Sequence, residues 1–245
     1  MRKALLAAAV LSTLGSSAAF AQASTAASTS PHTFSANVGL VSDYRFRGFT
    51  QTNLRPAIQG GFDYEHASGF YLGNWNSNVA DELFPGGNIE MDFYGGYKHQ
   101  FGDVGLDVGV LHYYYPGSEA AKGGTIKNTE LYAGLSYGPF SLKYSHGVSD
   151  FFGVPDSKNN FYVDAGLAVP LNDGWGINAH VGYQRLKNDP AISGYVDYSL
   201  GVTKELAGWE LGAKVVATNQ KDWYQTSKGR DAGRTGVVFS VARAF

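Results

Sequence analysis

The sequence predicts an all-β protein: a closed antiparallel transmembrane β-barrel of about 12 strands, with short periplasmic turns and longer extracellular loops. Three observations predict it. From residue 32 onward, apolar side chains recur with period two. The connections between the candidate strands alternate between short and long. The final strand alternates through to an aromatic, Phe245, where the ends of soluble chains usually fray.

The elements follow in order. Arg2 and Lys3 precede an apolar run over 4–14, and Ala19-Phe20-Ala21 offers small residues at the positions a signal peptidase reads. The run is shorter than the ~20 residues of a membrane-spanning helix. Residues 1–21 are therefore expected to be a cleaved signal peptide and 22–31 a flexible leader, with the barrel over 32–245 and the Gram-negative outer membrane as destination. Candidate strands lie at 34–47, 55–65, 70–78, 88–98, 104–115, 128–137, 140–148, 160–169, 175–184, 194–204, 209–218 and 234–245. Most have the ~9–11 residues a tilted membrane strand needs. Connections after the even strands are short, as at His66-Ala67-Ser68 and Gly138-Pro139, and most after the odd strands are long and polar. An even strand count puts both termini on the short-turn, periplasmic side. A soluble sandwich would share the alternation but has no reason to sort its loops by parity.

Aromatic residues on the apolar face are expected to form two girdles. Phe34, Tyr64, Tyr97, Tyr137, Phe140, Trp175, Trp209 and Phe245 fall toward the short-turn rim. Tyr44, Phe46, Tyr114, Tyr144, Phe161, Tyr183 and Tyr198 fall toward the long-loop rim. Arg243 departs from the apolar pattern, but near the rim it can snorkel to the headgroups.

Composition excludes other classes. Cysteine is absent, so disulfides do not hold this exported chain. With 15 Phe, 16 Tyr and 32 Gly against 2 Met, and with no mature stretch of about 20 apolar residues, helical spans are excluded. The full chain carries a net charge of −2, and loss of Arg2 and Lys3 makes the mature chain more acidic still. That balance argues against a nucleic-acid partner.

Strand parity turns a set of charged side chains inward, where charges that would be costly in lipid can meet water or pair. The predicted pore-lining residues are Asp43, Arg45, Arg47, Glu90, Asp92, Lys98, Asp107, Glu130, Lys143, Asp164, His180, Asp197, Lys214 and Arg234, with Asp63, Glu65 and Glu210 on the same wall. His180 is counted as neutral. Arg45 and Arg47 are expected to face Glu90, Asp92 and Glu130 across the outer half of a hydrated lumen. The surplus of carboxylates predicts a weak preference for cations.

No phosphate-binding loop, metal-ligand His spacing or GxSxG elbow is present, so no cofactor, metal or catalytic residue is expected. His112, Tyr144 and His146 lie on or near the lipid face, but Ser145 points away from His146 and no third partner is evident, which disfavours a lipid-face hydrolase. Phe84-Pro85 and Phe151-Phe152 are apolar loop residues that could fold inward or meet a partner.

Several motifs carry a resemblance. Val41-Ser42-Asp43-Tyr44-Arg45-Phe46-Arg47-Gly48 followed by Thr50-Gln51, then Gly69-Phe70-Tyr71-Leu72-Gly73-Asn74-Trp75, Glu90-Met91-Asp92-Phe93-Tyr94-Gly95-Gly96-Tyr97 and His112-Tyr113-Tyr114-Tyr115-Pro116-Gly117, resemble a proteobacterial family of predicted outer-membrane porins named TorF-like or Gcw_chp. The likeness runs through essentially the whole mature chain. It implies an outer-membrane location and a suspected pore, and supplies no catalytic residue or substrate. In similar barrels the terminal aromatic strand is what the outer-membrane insertion machinery recognises, so that machinery and outer-membrane lipid are expected partners. The expected function is passive diffusion of small hydrophilic solutes. The alternative is a closed barrel presenting extracellular loops for adhesion or recognition.

Overall fold

The computed structural model describes residues 30–120 and 123–245. The predicted signal peptide and nearly all of the leader lie outside them. Among the described residues there are fourteen strands: β1 His32–Val41, β2 Arg45–Phe46, β3 Phe49–Thr50, β4 Ala57–His66, β5 Phe70–Asn78, β6 Ile89–Phe101, β7 Val104–Tyr114, β8 Lys127–Tyr137, β9 Phe140–Gly147, β10 Phe161–Pro170, β11 Trp175–Arg185, β12 Gly194–Leu206, β13 Trp209–Thr218 and β14 Gly236–Ala244. Twelve of them, β1 and β4 through β14, close into one antiparallel barrel, while β2 and β3 pair only with each other.

Closure is made where β1 meets β14, from Asn37↔Ala244 to Val41↔Ser240. Phe245 extends it: its N–H donates to the Ala36 carbonyl at 2.8 Å and its carbonyl accepts from Ala36 N–H at 3.2 Å. The ring remains 66% exposed on the outer wall. With no free edge, every wall strand has a neighbour on both sides, which is the condition for spanning hydrocarbon.

The wall obeys period two. Phe34, Ile58, Phe62, Leu72, Leu131, Leu142, Leu200 and Phe239 stand exposed on the outside, an apolar belt that only lipid can cover favourably. At the short-turn rim Tyr137, Phe140, Trp175 and Trp209 are exposed, and at the long-loop rim so are Tyr144, Tyr183 and Tyr198. Arg243 lies over the rings of Trp209 and Phe245, at 5.5 and 5.3 Å from the centroids, so its stem stays on apolar surface. A barrel of this kind should stay folded in SDS until heated. Unheated and heated samples are expected to migrate differently on gels, with β-type circular dichroism in detergent. A detergent-free, monomeric soluble product would refute this.

Inside, tyrosines lie against glycines of neighbouring strands. A Cβ at Gly182 would overlap the Tyr162 hydroxyl, one at Gly73 would overlap the Tyr94 ring, and Gly109 sits similarly beneath Tyr132. Substituting Gly182→Val should therefore cost more than ordinary overpacking of ~1–3 kcal/mol. The heat-modifiable fraction after refolding should drop sharply, whereas Gly134→Ala, where an added Cβ meets nothing closer than 3.7 Å, should leave it nearly unchanged. Equal yields would overturn this account.

Most strand ends differ from the sequence expectation by one to three residues, and two differences matter for the site: the first strand ends at Val41, not 47, and the last begins at Gly236, not 234. The predicted 34–47 strand exceeds the ~9–11 residues that cross a membrane at the usual tilt. The chain leaves the wall at Ser42 and folds into the barrel, so Tyr44 is buried and Phe46 partly buried, and neither belongs to the outer girdle.

Candidate functional site: a plug in the long-loop half of the barrel

Residues 42–56 form the plug. Arg45 pairs with Thr50 and Phe46 with Phe49 in a miniature hairpin. Its two-residue tip, Arg47 and Gly48, has φ values of 46° and 90°, the sign a type I′ turn requires at both positions. Gly48 also fits tightly, since a Cβ there would lie 2.9 Å from Asp197 Cβ on the opposite wall. A non-glycine residue at positive φ, as Arg47 is, persists only where its surroundings hold it.

Those surroundings are specific. Arg47 Nη2 donates to both carboxylate oxygens of Glu130, at 2.7 and 2.9 Å, and Nη1 to Gln184 Oε1 at 2.5 Å. The guanidinium also lies over the rings of Tyr162 and Phe46, at 4.2 and 4.7 Å. Arg45 works within the plug and toward the β13–β14 connection. Its Nε donates to Asp43 at 2.5 Å, and its Nη1 lies 3.1 Å from each of the carbonyls of Gly48, Ala232 and Arg234. Thr50 Oγ1 donates to the other Asp43 oxygen. Tyr44 donates to Glu90 at 3.0 Å.

Aromatic packing seals the rest. Phe49 sits among Tyr195, Trp223 and Tyr224. Phe152 meets Phe46 and Tyr113, and Phe84 stacks on Tyr115 at 4.3 Å. Of the apolar loop pairs flagged in the sequence, Phe84, Phe151 and Phe152 have turned inward, while Pro85 stays exposed. Backbone bonds from Thr50 to Ala232 and from Ala80 to Gln51 tie two further connections to the plug.

The predicted pore-lining residues divide into three groups. Asp43, Arg45 and Arg47 sit on the plug and not on the wall. Glu90, Asp92, Asp107, Glu130, Asp164 and Asp197 are on the inner wall and buried. Lys98, Lys143, Lys214 and His180 face inward from the same wall and are partly exposed. Arg234 is the third case: it is exposed in the β13–β14 connection, because that connection crosses to the plug before β14 begins.

Pairing is dense along the wall. Lys98 meets Glu65 at 3.2 Å and lies over Tyr71. Lys143 lies 3.9 Å from the centroid of Tyr132, and Tyr71 bonds to both Asp107 and Tyr132. His180 stands between two carboxylates, Nδ1 at 2.5 Å from Asp164 and Nε2 at 3.0 Å from Asp197. Both nitrogens donate only in the cationic ring, which corrects its assignment as neutral. Glu90 and Asp92 are the exception, since Glu90 Oε2 and Asp92 Oδ1 take no hydrogen bond from the protein. Toward the short turns the lumen opens: Glu65 and Glu205 are exposed, and Asp63, Lys98 and Glu210 half-buried. Glu205 faces Glu210 across β12 and β13, a carboxylate pair that the sequence expectation included only in part.

On the outer wall, Tyr144 Oη lies 2.8 Å from His146 Nδ1, and His146 Nε2 lies 3.2 Å from Asn159 Oδ1. Asn159 is the third partner not evident in the sequence. The hydroxyl in this chain is a phenol on the same face, and Ser145 is buried on the other. Among the described residues, no group of three or more His, Cys, Asp or Glu side chains is placed to hold a metal ion.

A closed barrel with an apolar belt outside and paired charges inside defines the class: a membrane-spanning β-barrel with the porin-like architecture of outer-membrane proteins. Residues 25–245 match the family Gcw_chp, bacterial proteins of unknown function, and the chain belongs to that family. No curated protein matches the sequence. Among solved structures, a chain from a study of in-meso crystallization of membrane proteins is similar, with 10% identity and a TM-score of 0.53 over 86% of this chain and 83% of that one. The COG4313 outer membrane channel from Pseudomonas putida F1 has 11% identity and a TM-score of 0.47, over 89% and 97% of the two chains. Outer membrane phospholipase A from Escherichia coli has 11% and 0.45, over 88% and 96%. The first is a likeness of fold alone, and the other two, lower in TM-score, support no argument.

Proposed function

We propose that the protein is a porin-like outer-membrane channel, as the TorF-like resemblance implies, which passes small hydrophilic solutes with a weak preference for cations and is held closed by the segment 42–56. The observation that carries this reading is the asymmetry of the lumen. The charged inner wall runs the depth of the barrel; its long-loop half is filled by one chain segment with the loops that touch it, whereas at the short-turn rim Glu65 and Glu205 are exposed. A wall built only to be dry has little use for buried carboxylates without full partners such as Glu90 and Asp92, which are costly until hydrated. The apolar outer belt and the predicted export signal support the outer-membrane location.

Planar-bilayer recording of the refolded protein tests the reading. Long closed periods broken by discrete openings are expected. Silence from the wild type and from plug-loosened variants alike would refute the channel and leave the closed, loop-presenting barrel in its place. Because Phe245 stands on the outer wall at the closing seam, assembly is expected to be sensitive to it. Its burial in lipid contributes only ~1.5–3 kcal/mol, so its deletion should lower the outer-membrane level through failed insertion, leaving a degraded periplasmic pool. Unchanged surface levels would contradict the expected role of the insertion machinery.

A further inference from the structure

Outside the barrel, across β4 to β7 and toward the short-turn rim, lies a groove of about 530 Å³, within the ~300–1,000 Å³ typical of small-molecule sites. Its walls are the outward side chains of Tyr64, Phe70, Leu72, Tyr97 and Val108, and backbone at Gly96 and Gly109 lines it where the neighbouring strands carry no inward side chain. A groove on a lipid-facing wall will hold hydrocarbon. What sets this one apart is its lower edge. Tyr64 lines the groove with its ring and places its hydroxyl 2.8 Å from His32 Nδ1, and Tyr97 does the same with His99 Nδ1 at 3.3 Å. His66 stands 5.2 Å from His32, ring to ring, and its Nδ1 accepts the Ser68 N–H.

That last bond fixes a tautomer: with Nδ1 accepting, the neutral His66 ring carries its proton on Nε2. His32, beside it, has the Tyr64 phenol as its Nδ1 partner, which leaves its Nε2 facing outward. The rim then presents the His66 N–H donor with the His32 ring next to it beneath an apolar slot. The carboxylates of these strands, Asp63, Glu65, Glu90, Asp92 and Asp107, have the opposite parity and face the lumen, and Asp103 lies in the β6–β7 turn.

We infer that this face is a binding site for one glycerophospholipid of the periplasmic leaflet, with an acyl chain in the groove and the phosphate accepting hydrogen bonds at the His32–His66 pair. Apolar length and phosphate acceptor match the slot and its donor rim in the order that a lipid in that leaflet presents them. Lipid A, in the opposite leaflet, would present them inverted. The inference depends on the barrel spanning the membrane and not on the channel reading, so a conducting or silent barrel bears equally on it.

The test is lipid retained by the full-length mature protein after refolding with a mixture of phosphatidylglycerol, phosphatidylethanolamine and lipid A and extensive detergent washing, measured by native mass spectrometry. About one phospholipid per barrel is expected. Val108→Trp fills the groove from the outer face and should reduce retention at least tenfold, with folding confirmed by heat-modifiable migration. Leu72→Trp serves if Val108→Trp does not fold. The combined His32→Phe, His66→Phe variant keeps apolar surface but removes the imidazole pair, and should likewise lose the retained lipid. Retention unchanged in the folded groove-filled or donor-free variants, absence of phospholipid from the wild type, or preferential retention of lipid A would each overturn the proposal.

Discussion

Replacing Arg47 by Gln is expected to open the barrel. In the closed state Arg47 is the two-pronged partner of Glu130, and Glu130 is 1% exposed. Without the guanidinium, Glu130 retains only Asn128 Nδ2 at 3.2 Å and a long contact from Tyr113. Breaking a buried pair on one side costs ~3–5 kcal/mol because the surviving charge stays dehydrated. The plug would be destabilised by that amount only while the lumen is closed. Once the segment moves, water reaches Glu130 and the penalty disappears. At ~1.4 kcal/mol per tenfold, the closed-to-open ratio should fall by a factor on the order of a hundred to a few thousand. Single-channel recordings should show open probability rising accordingly, while the wall, which Arg47 does not join, keeps its thermal unfolding in detergent. The double variant Arg47→Met, Glu130→Leu removes both charges and should return the channel toward closed, since an apolar pair of similar volume tolerates dryness. If Arg47→Gln conducts no more than the wild type, the segment 42–56 is not the gate.

The wall of this protein was legible in the sequence, and the plug was not, for a physical reason. Period two reports that successive side chains face opposite environments. In β6, Glu90 and Asp92 face the lumen and Met91 and Phe93 the outside, so alternation and burial agree. In 42–47 the same alternation continues, with Asp43, Arg45 and Arg47 against Tyr44 and Phe46. There it separates hydrogen-bonding from aromatic surroundings inside one lumen, and a pattern of two cannot distinguish that from wall. Length was the available signal, because the alternating run is too long for one crossing. Glycine gave a second, since Gly48 supplies half of the turn, but its partner Arg47 belongs to a residue type with no preference for positive φ. Arg234 failed differently: its parity matches Gly236 and Val238, yet the carbonyl of Arg234 is held by Arg45, which keeps that residue off the wall. Asn159 was invisible because contact between β9 and the loop before β10 depends on register, which no local pattern specifies.

Charge selectivity should be set at the short-turn mouth, where the lumen is open, more than at the buried carboxylates of the plug. Glu205 and Glu210 stand directly opposite each other on β12 and β13, and Asp63 and Glu65 project from β4 on the same rim, with Lys98 engaged by Glu65. Taking Arg234 off the wall and adding Glu205 to it shifts the wall further toward negative charge than parity alone implied. Cations are therefore expected to be enriched at this mouth, and screening should erode the enrichment, since the Debye length is ~10 Å at 0.1 M and ~3 Å at 1 M. Reversal potentials across a salt gradient, measured on the Arg47→Gln background so that channels open often, should indicate cation preference at low salt that fades toward 1 M. Neutralising both carboxylates with Glu205→Gln and Glu210→Gln should bring the reversal potential most of the way to zero at low salt, while leaving open probability unchanged because neither residue touches the plug. Substituting Glu90→Gln and Asp92→Asn should do the reverse, altering open probability through Tyr44 and the plug more than selectivity. An anion-selective parent, or a mouth variant whose reversal potential does not move, would place the selective charges elsewhere along the wall.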